Sequence, residues 1–214
     1  MEICERKFMV RAFIVIYMLL LLSVNFVGDH SERMFYFTYS IATPIIQFAF
    51  CGLIVLTEIL GIRKTQHVLL ATTIIHLLVG LFVHFGLGWK LPNFWISNDI
   101  EPWRQGAAIL MFVLCYVCCA LAMVGLAAWL KVVFGRHWLL VRVGITVVVG
   151  VIVDLLMLYP IVLFVTPDHY MALWKLLALV SIKLPLCIVE VPLTYLVILA
   201  FKRNHKFLPK ARLA

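Results

Sequence analysis

The chain has 214 residues, 65% of them hydrophobic and 13% charged, with a mean hydropathy of +1.10. Ordinary globular domains are about 45–50% apolar and about 25% charged, so no soluble core hides this much apolar surface and lipid must cover part of it. A net charge of +8 would suggest nucleic acid as the partner of a soluble protein, but here the cations flank apolar runs, where they set membrane topology.

A spanning helix takes about 20 apolar residues. Six runs qualify, at 10–28, 41–61, 67–89, 107–134, 139–166 and 171–201. Together they predict one integral membrane domain over 1–214, all-α, with six transmembrane helices. The first run follows Arg6, Lys7 and Arg11 as a signal peptide would, yet residues 23–27 offer no small-residue cleavage site, so a retained helix is expected. The connection at 29–40 is polar and aromatic. The one at 89–105 carries Trp89, Trp95 and Trp103, which suit either an interfacial belt or a lid over an outward-facing pocket. The last run contains Pro185 and Pro192, so kinks or a break are expected there. Helices one to three and four to six would run in opposite senses, as in carriers built from inverted repeats, although the halves share no clear sequence similarity.

The cations supply orientation. Arg6, Lys7, Arg11, Arg63, Lys64, Lys131, Arg136, Arg142, Lys202, Arg203, Lys206, Lys210 and Arg212 fall on one side, thirteen in all. Arg33, Lys90, Arg104 and Lys175, four in all, fall on the other, and Lys183 lies within the sixth helix. This asymmetry alternates loop by loop and predicts both termini in the cytoplasm of a cell bounded by an inner (plasma) membrane.

Polar groups at mid-membrane are costly, at about 2.5–3.5 kcal/mol or more for an isolated charge, and mark function by default. Asp154 lies near the centre of helix five; Lys183 and Glu190, seven residues apart, lie on helix six. Helices five and six are antiparallel neighbours, so Asp154 and Lys183 have similar depth, as either a structural ion pair or part of a ligand or ion site. Glu58 closes helix two, opposing the helix dipole, with Arg63 and Lys64 nearby in sequence as counter-charges for an interfacial salt bridge or a gating or coupling role. Asn25 and Gln47 bring amides to helices one and two, as interhelical glue or as solute contacts. His76 and His84 read as polar packing. Cys115, Cys118 and Cys119 have one-turn spacing, but their run lacks the charged partners of a thiolate metal site, so helix packing is expected, with no metal and no cofactor. There is no Gly-x-x-x-x-Gly-Lys-[Ser/Thr], His-Glu-x-x-His or Gly-x-Ser-x-Gly sequence, so an enzyme is not expected.

Several segments resemble the vitamin-uptake-like queuosine precursor transporters. The stretch Thr57-Glu58-Ile59-Leu60-Gly61 followed by Arg63 and Lys64 is similar to that family's second-helix ending, an Asp-x-x-x-Glu-x-Tyr-Gly pattern with basic residues after it. Asp154 before an apolar run, Lys183 followed by Pro192-Leu193-Thr194-Tyr195, and Asn25 late in helix one are also similar. The chain departs from the pattern at Ile54 in the acidic position, at Leu60 in place of Tyr, and at the apolar residues 151–153 before Asp154. The resemblance implies inward transport of a 7-deazaguanine such as preQ0 or preQ1, or of queuine, on a fold resembling the substrate-binding subunits of energy-coupling-factor transporters. A flat heterocycle would be held by stacking, from Trp95 or Trp103, and by edge contacts from Asn25, Gln47, Asp154 and Glu190. Partners implied are the bilayer, the small heterocycle, and a second copy or an energising subunit. The alternatives are a binding subunit of an ATP-driven vitamin transporter, or a non-transporting intramembrane enzyme or assembly factor.

Overall fold

The computed structural model describes residues 2–27, 31–34, 37–40, 42–82, 102–135, 138–165 and 169–203. Six helices run in chain order as α1 (Glu2–Val27), α2 (Ala42–Leu60), α3 (Ile62–Leu81), α4 (Pro102–Phe134), α5 (Leu139–Val165) and α6 (His169–Arg203). All six are long and apolar enough to cross a membrane. Four of them, α1, α3, α4 and α6, start earlier than the hydropathy runs. The polar stretches ahead of α1 and α3 are rich in Glu, Arg, Lys and Gln, which are good helix formers, so the backbone continues as helix beyond the apolar core. Pro102 occupies the first position of α4, where its missing amide costs nothing. Residues 83–89, placed at the end of the third helix by hydropathy, lie outside the described residues.

Two further departures concern the first connection and the last helix. Ser31–Met34 (β1) and Phe37–Ser40 (β2) pair as a two-stranded antiparallel ribbon, with Ser31 opposite Ser40 and Met34 opposite Phe37. It contacts α6. Hydropathy does not see strands this short, because four residues give too few alternations to register. The expected break in the sixth helix is not there: α6 runs unbroken for 35 residues with Pro185 and Pro192 inside it. Each proline leaves a carbonyl one turn back, at Ser181 and Ile188, without its amide partner.

The shortest helix is the hub. α2 has 19 residues and packs against all five other helices, with 56% of its apolar stretch buried against 11% for α1. The core around it includes Leu53, Ile54 and Leu56 together with Tyr17, Leu69, Cys119, Val124, Val147 and Leu179. α2 and α3 meet at one residue. Gly61 has φ +81°, a region closed to side-chain-bearing residues at ordinary cost; its amide bonds back to the Thr57 carbonyl at 3.1 Å, and its own carbonyl accepts the Thr65 amide at 3.2 Å. This tight junction holds Glu58 at the end of the bundle.

Candidate functional site

α2 and α6 run side by side in the same direction, which brings Gln47 and Cys51 of α2 against Cys187, Glu190 and Thr194 of α6. Gln47 Nε2 donates to Glu190 Oε2 at 3.2 Å, and Cys187 Sγ lies 3.8 Å from the same amide. Cys51 lies beside both Glu190 and Thr194. Glu190 is 0% exposed, and its Oε1 has no hydrogen-bond partner; neither has Thr194 Oγ1, one turn further along the same face. The Cys51 thiol beside both is only a weak donor, and a buried polar atom left unsatisfied costs about 1–3 kcal/mol, so this helical face carries a concentrated polar demand in an apolar bundle.

One to two turns away on α6, Lys183 Nζ donates to Asp154 Oδ2 of α5, and both residues are buried. Their similar depth left the pairing open, and the two residues do meet. The pair neutralises both charges inside the bundle, where either alone would be expensive. Cys187 Sγ donates to the Lys183 carbonyl at 3.2 Å, which links this pair to the Gln47–Glu190 contact.

Glu58 belongs to a separate cluster. Its carboxylate meets Arg142 Nη2 at 3.0 Å, Lys202 Nζ at 3.2 Å and Lys131 Nζ at 3.6 Å, and Lys131 Nζ also donates to the Glu58 carbonyl at 3.2 Å. The neighbours in sequence, Arg63 and Lys64, are exposed and are not its partners. After Gly61 turns the chain, the side chain of Glu58 faces the bundle rather than the loop, so its cations come from α4, α5 and α6. Their meeting puts the C-terminal ends of α2, α4 and α6 and the N-terminal end of α5 at the same end of the bundle, as alternating up-and-down crossings require.

Asn25 is elsewhere. Its Nδ2 lies 3.2 Å from His76 Nδ1 and donates to the His76 carbonyl at 3.3 Å, tying α1 to α3, and its Oδ1 lies close over Gly80. Its hydrogen bonds among the described residues are to His76, with none to Gln47, Asp154, Lys183 or Glu190. His76 is likewise engaged in packing. Trp95 and His84 lie outside the described residues, and Trp103 falls in the first turn of α4.

Some central residues carried no signal in one dimension. Tyr17 Oη and Tyr116 Oη are 2.7 Å apart, and Tyr116 stacks on Phe50 at 5.2 Å with ring planes 17° apart. Gly52 makes room for the Tyr17 ring, which comes within 3.2 Å of where a Cβ would stand. Tyrosines inside apolar runs read as interfacial or core residues, and only their convergence from α1, α2 and α4 shows a buried aromatic group beside the polar face of α2. Cys51, Cys187 and Thr194 were similarly indistinguishable from packing residues. The chain matches no family model, no curated protein and no solved structure.

Proposed function

We propose that this protein is a carrier, not an enzyme, that imports a small flat heterocycle across the inner (plasma) membrane, and that its solute is a queuosine precursor such as preQ1 or queuine. The observation that carries the carrier reading is Glu190, fully buried, with one carboxylate oxygen held by Gln47 and the other without a donor. A solute edge with two adjacent N–H groups, as a deazaguanine presents, satisfies that oxygen and forms charge-assisted bonds. Thr194 Oγ1 accepts or donates one turn away. Phe50 and Tyr116, stacked on each other in the interior, form the aromatic pair that a flat solute would adjoin, the role that the resemblance gives to Trp95 or Trp103. The Asp154–Lys183 pair adjoins the site as a charge-balanced couple whose rearrangement can accompany solute entry. The queuosine assignment rests on the segmental resemblance of Glu58–Gly61, Asp154 and Lys183–Tyr195 to that transporter family, and the fold we assign accordingly is that of the substrate-binding subunits of energy-coupling-factor transporters. The thirteen-to-four division of cations supports both termini being cytoplasmic.

The test is uptake of labelled preQ1 and queuine by cells that lack their own precursor salvage, read out also as queuosine in tRNA. Expression of the native chain is expected to restore both, and Glu190→Gln and Gln47→Ala to raise the KM for uptake about tenfold, the equivalent of about 1.4 kcal/mol of lost contact. No restoration by a correctly inserted native chain refutes the solute, and unchanged KM in both variants refutes the site.

A further inference from the structure

We propose that Cys115, Cys119 and Asp154 form a binding site for a divalent thiophilic cation of the zinc class, buried between α4 and α5. The two cysteine sulfurs and a carboxylate oxygen of Asp154 all lie within 4.8 Å of one another, and all three residues are buried. In sequence the cysteines lacked an acidic partner; the packing of α5 on α4 supplies one. Cys115 and Cys119 are four residues apart, hence on one face of α4. Two sulfurs sharing a tetrahedral zinc ion stand about 3.8 Å apart, given Zn–S of about 2.3 Å, so side-chain rotation over about 1 Å closes the site without moving a helix.

Three features favour a divalent, sulfur-seeking ion. Thiolates select soft and borderline metals over magnesium or calcium. Lys183 occupies one oxygen of Asp154, and a carboxylate has lone pairs to spare for a second partner. Charge balance decides the valence. The metal-free cluster is neutral, with two thiols and an Asp–Lys ion pair. Binding a divalent ion with release of both thiol protons to water keeps it neutral, whereas a monovalent ion held by the same two thiolates leaves a net negative charge at the bundle centre, where charge is most costly. The helices also approach closely here. Met123, one turn beyond Cys119, places Sδ and Cε 2.6 Å from where a Cβ of Gly150 would stand, and Gly150 is one turn from Asp154. Gly150 leaves room for that side chain in its present position, so α4 and α5 pack closely one turn from Asp154. Three protein ligands leave a fourth position for water or a solute atom, as in open zinc sites.

The inference does not depend on the solute being a queuosine precursor. Its test uses the full-length protein in detergent, stripped with chelator and titrated with Co²⁺ as the probe, then with Zn²⁺. A thiolate-to-cobalt charge-transfer band is expected, displaced by Zn²⁺, with stoichiometric zinc retained on desalting. Cys118→Ser, on the exposed side of α4, should keep the band, and Cys115→Ser/Cys119→Ser should abolish it. Absence of the band in the native protein overturns the proposal whether or not the variants fold. So does its persistence in the double variant, or binding of Cu⁺ without Co²⁺ or Zn²⁺.

Discussion

Replacing Glu58 by Gln should destabilise the protein far more than removing either lysine that touches it. The three cations on this carboxylate differ in burial. The Arg142 side chain is 3% exposed, whereas those of Lys131 and Lys202 are 46% and 43% exposed. Arg142 already leaves Nε and Nη1 without partners, so Glu58 supplies its one charged contact among the described residues. Glu58→Gln strands that buried guanidinium, and breaking a buried pair from one side costs about 3–5 kcal/mol. Arg142→Met leaves Glu58 two lysines and removes one charge-assisted contact, for about 1.5–3 kcal/mol. Lys131→Met and Lys202→Met remove half-exposed pairs, each within about 1 kcal/mol. The assay is equilibrium unfolding in mixed micelles with rising SDS fraction, followed by tryptophan fluorescence and circular dichroism. If a lysine variant costs as much as Glu58→Gln, or if Glu58→Gln costs less than about 1 kcal/mol, the ranking by burial is wrong.

In the same assay, Lys183→Met should cost about 3–5 kcal/mol by leaving Asp154 buried alone, and Asp154→Asn in that background should recover most of it; additive costs would show that the two residues do not interact. Gly150→Ala should lose about 1–3 kcal/mol through overpacking against Met123, and Met123→Ala in the same chain should relieve part of it, a recovery that a general intolerance of Gly150 would not produce. Gly61→Ala should cost about 1–3 kcal/mol because φ +81° is strained for alanine, with the KM for uptake unchanged; a shift in KM would mean that the α2–α3 junction reaches the solute site.

Much of the architecture is visible in one dimension because it follows from local quantities. Six stretches long and apolar enough to span lipid declare themselves through hydropathy, and the alternation of basic loops orders them without any knowledge of packing. Asp154, Lys183 and Glu190 stand out because a charge amid apolar residues is rare wherever the chain folds. The ends of helices are less legible: Glu2–Lys7 and Ile62–Gln66 are helical through backbone propensity, to which hydropathy is blind. The Pro185 and Pro192 positions predict a disruption, yet α6 runs unbroken through both.

Partnership is what only the tertiary structure decided. Gln47 reaches Glu190 across 143 residues, Glu58 takes Arg142 rather than the adjacent Arg63 and Lys64, and Asn25 turns to His76 on α3, away from the polar groups of α2, α5 and α6. Each choice depends on which face of a helix meets which neighbour, and a helix that is apolar all round carries no periodic mark of that face. Composition and charge thus determined that the chain carries six stretches long and apolar enough to cross a membrane, with basic residues concentrated in alternate connections. The packing of the helices around α2 determined which of these buried polar atoms meet.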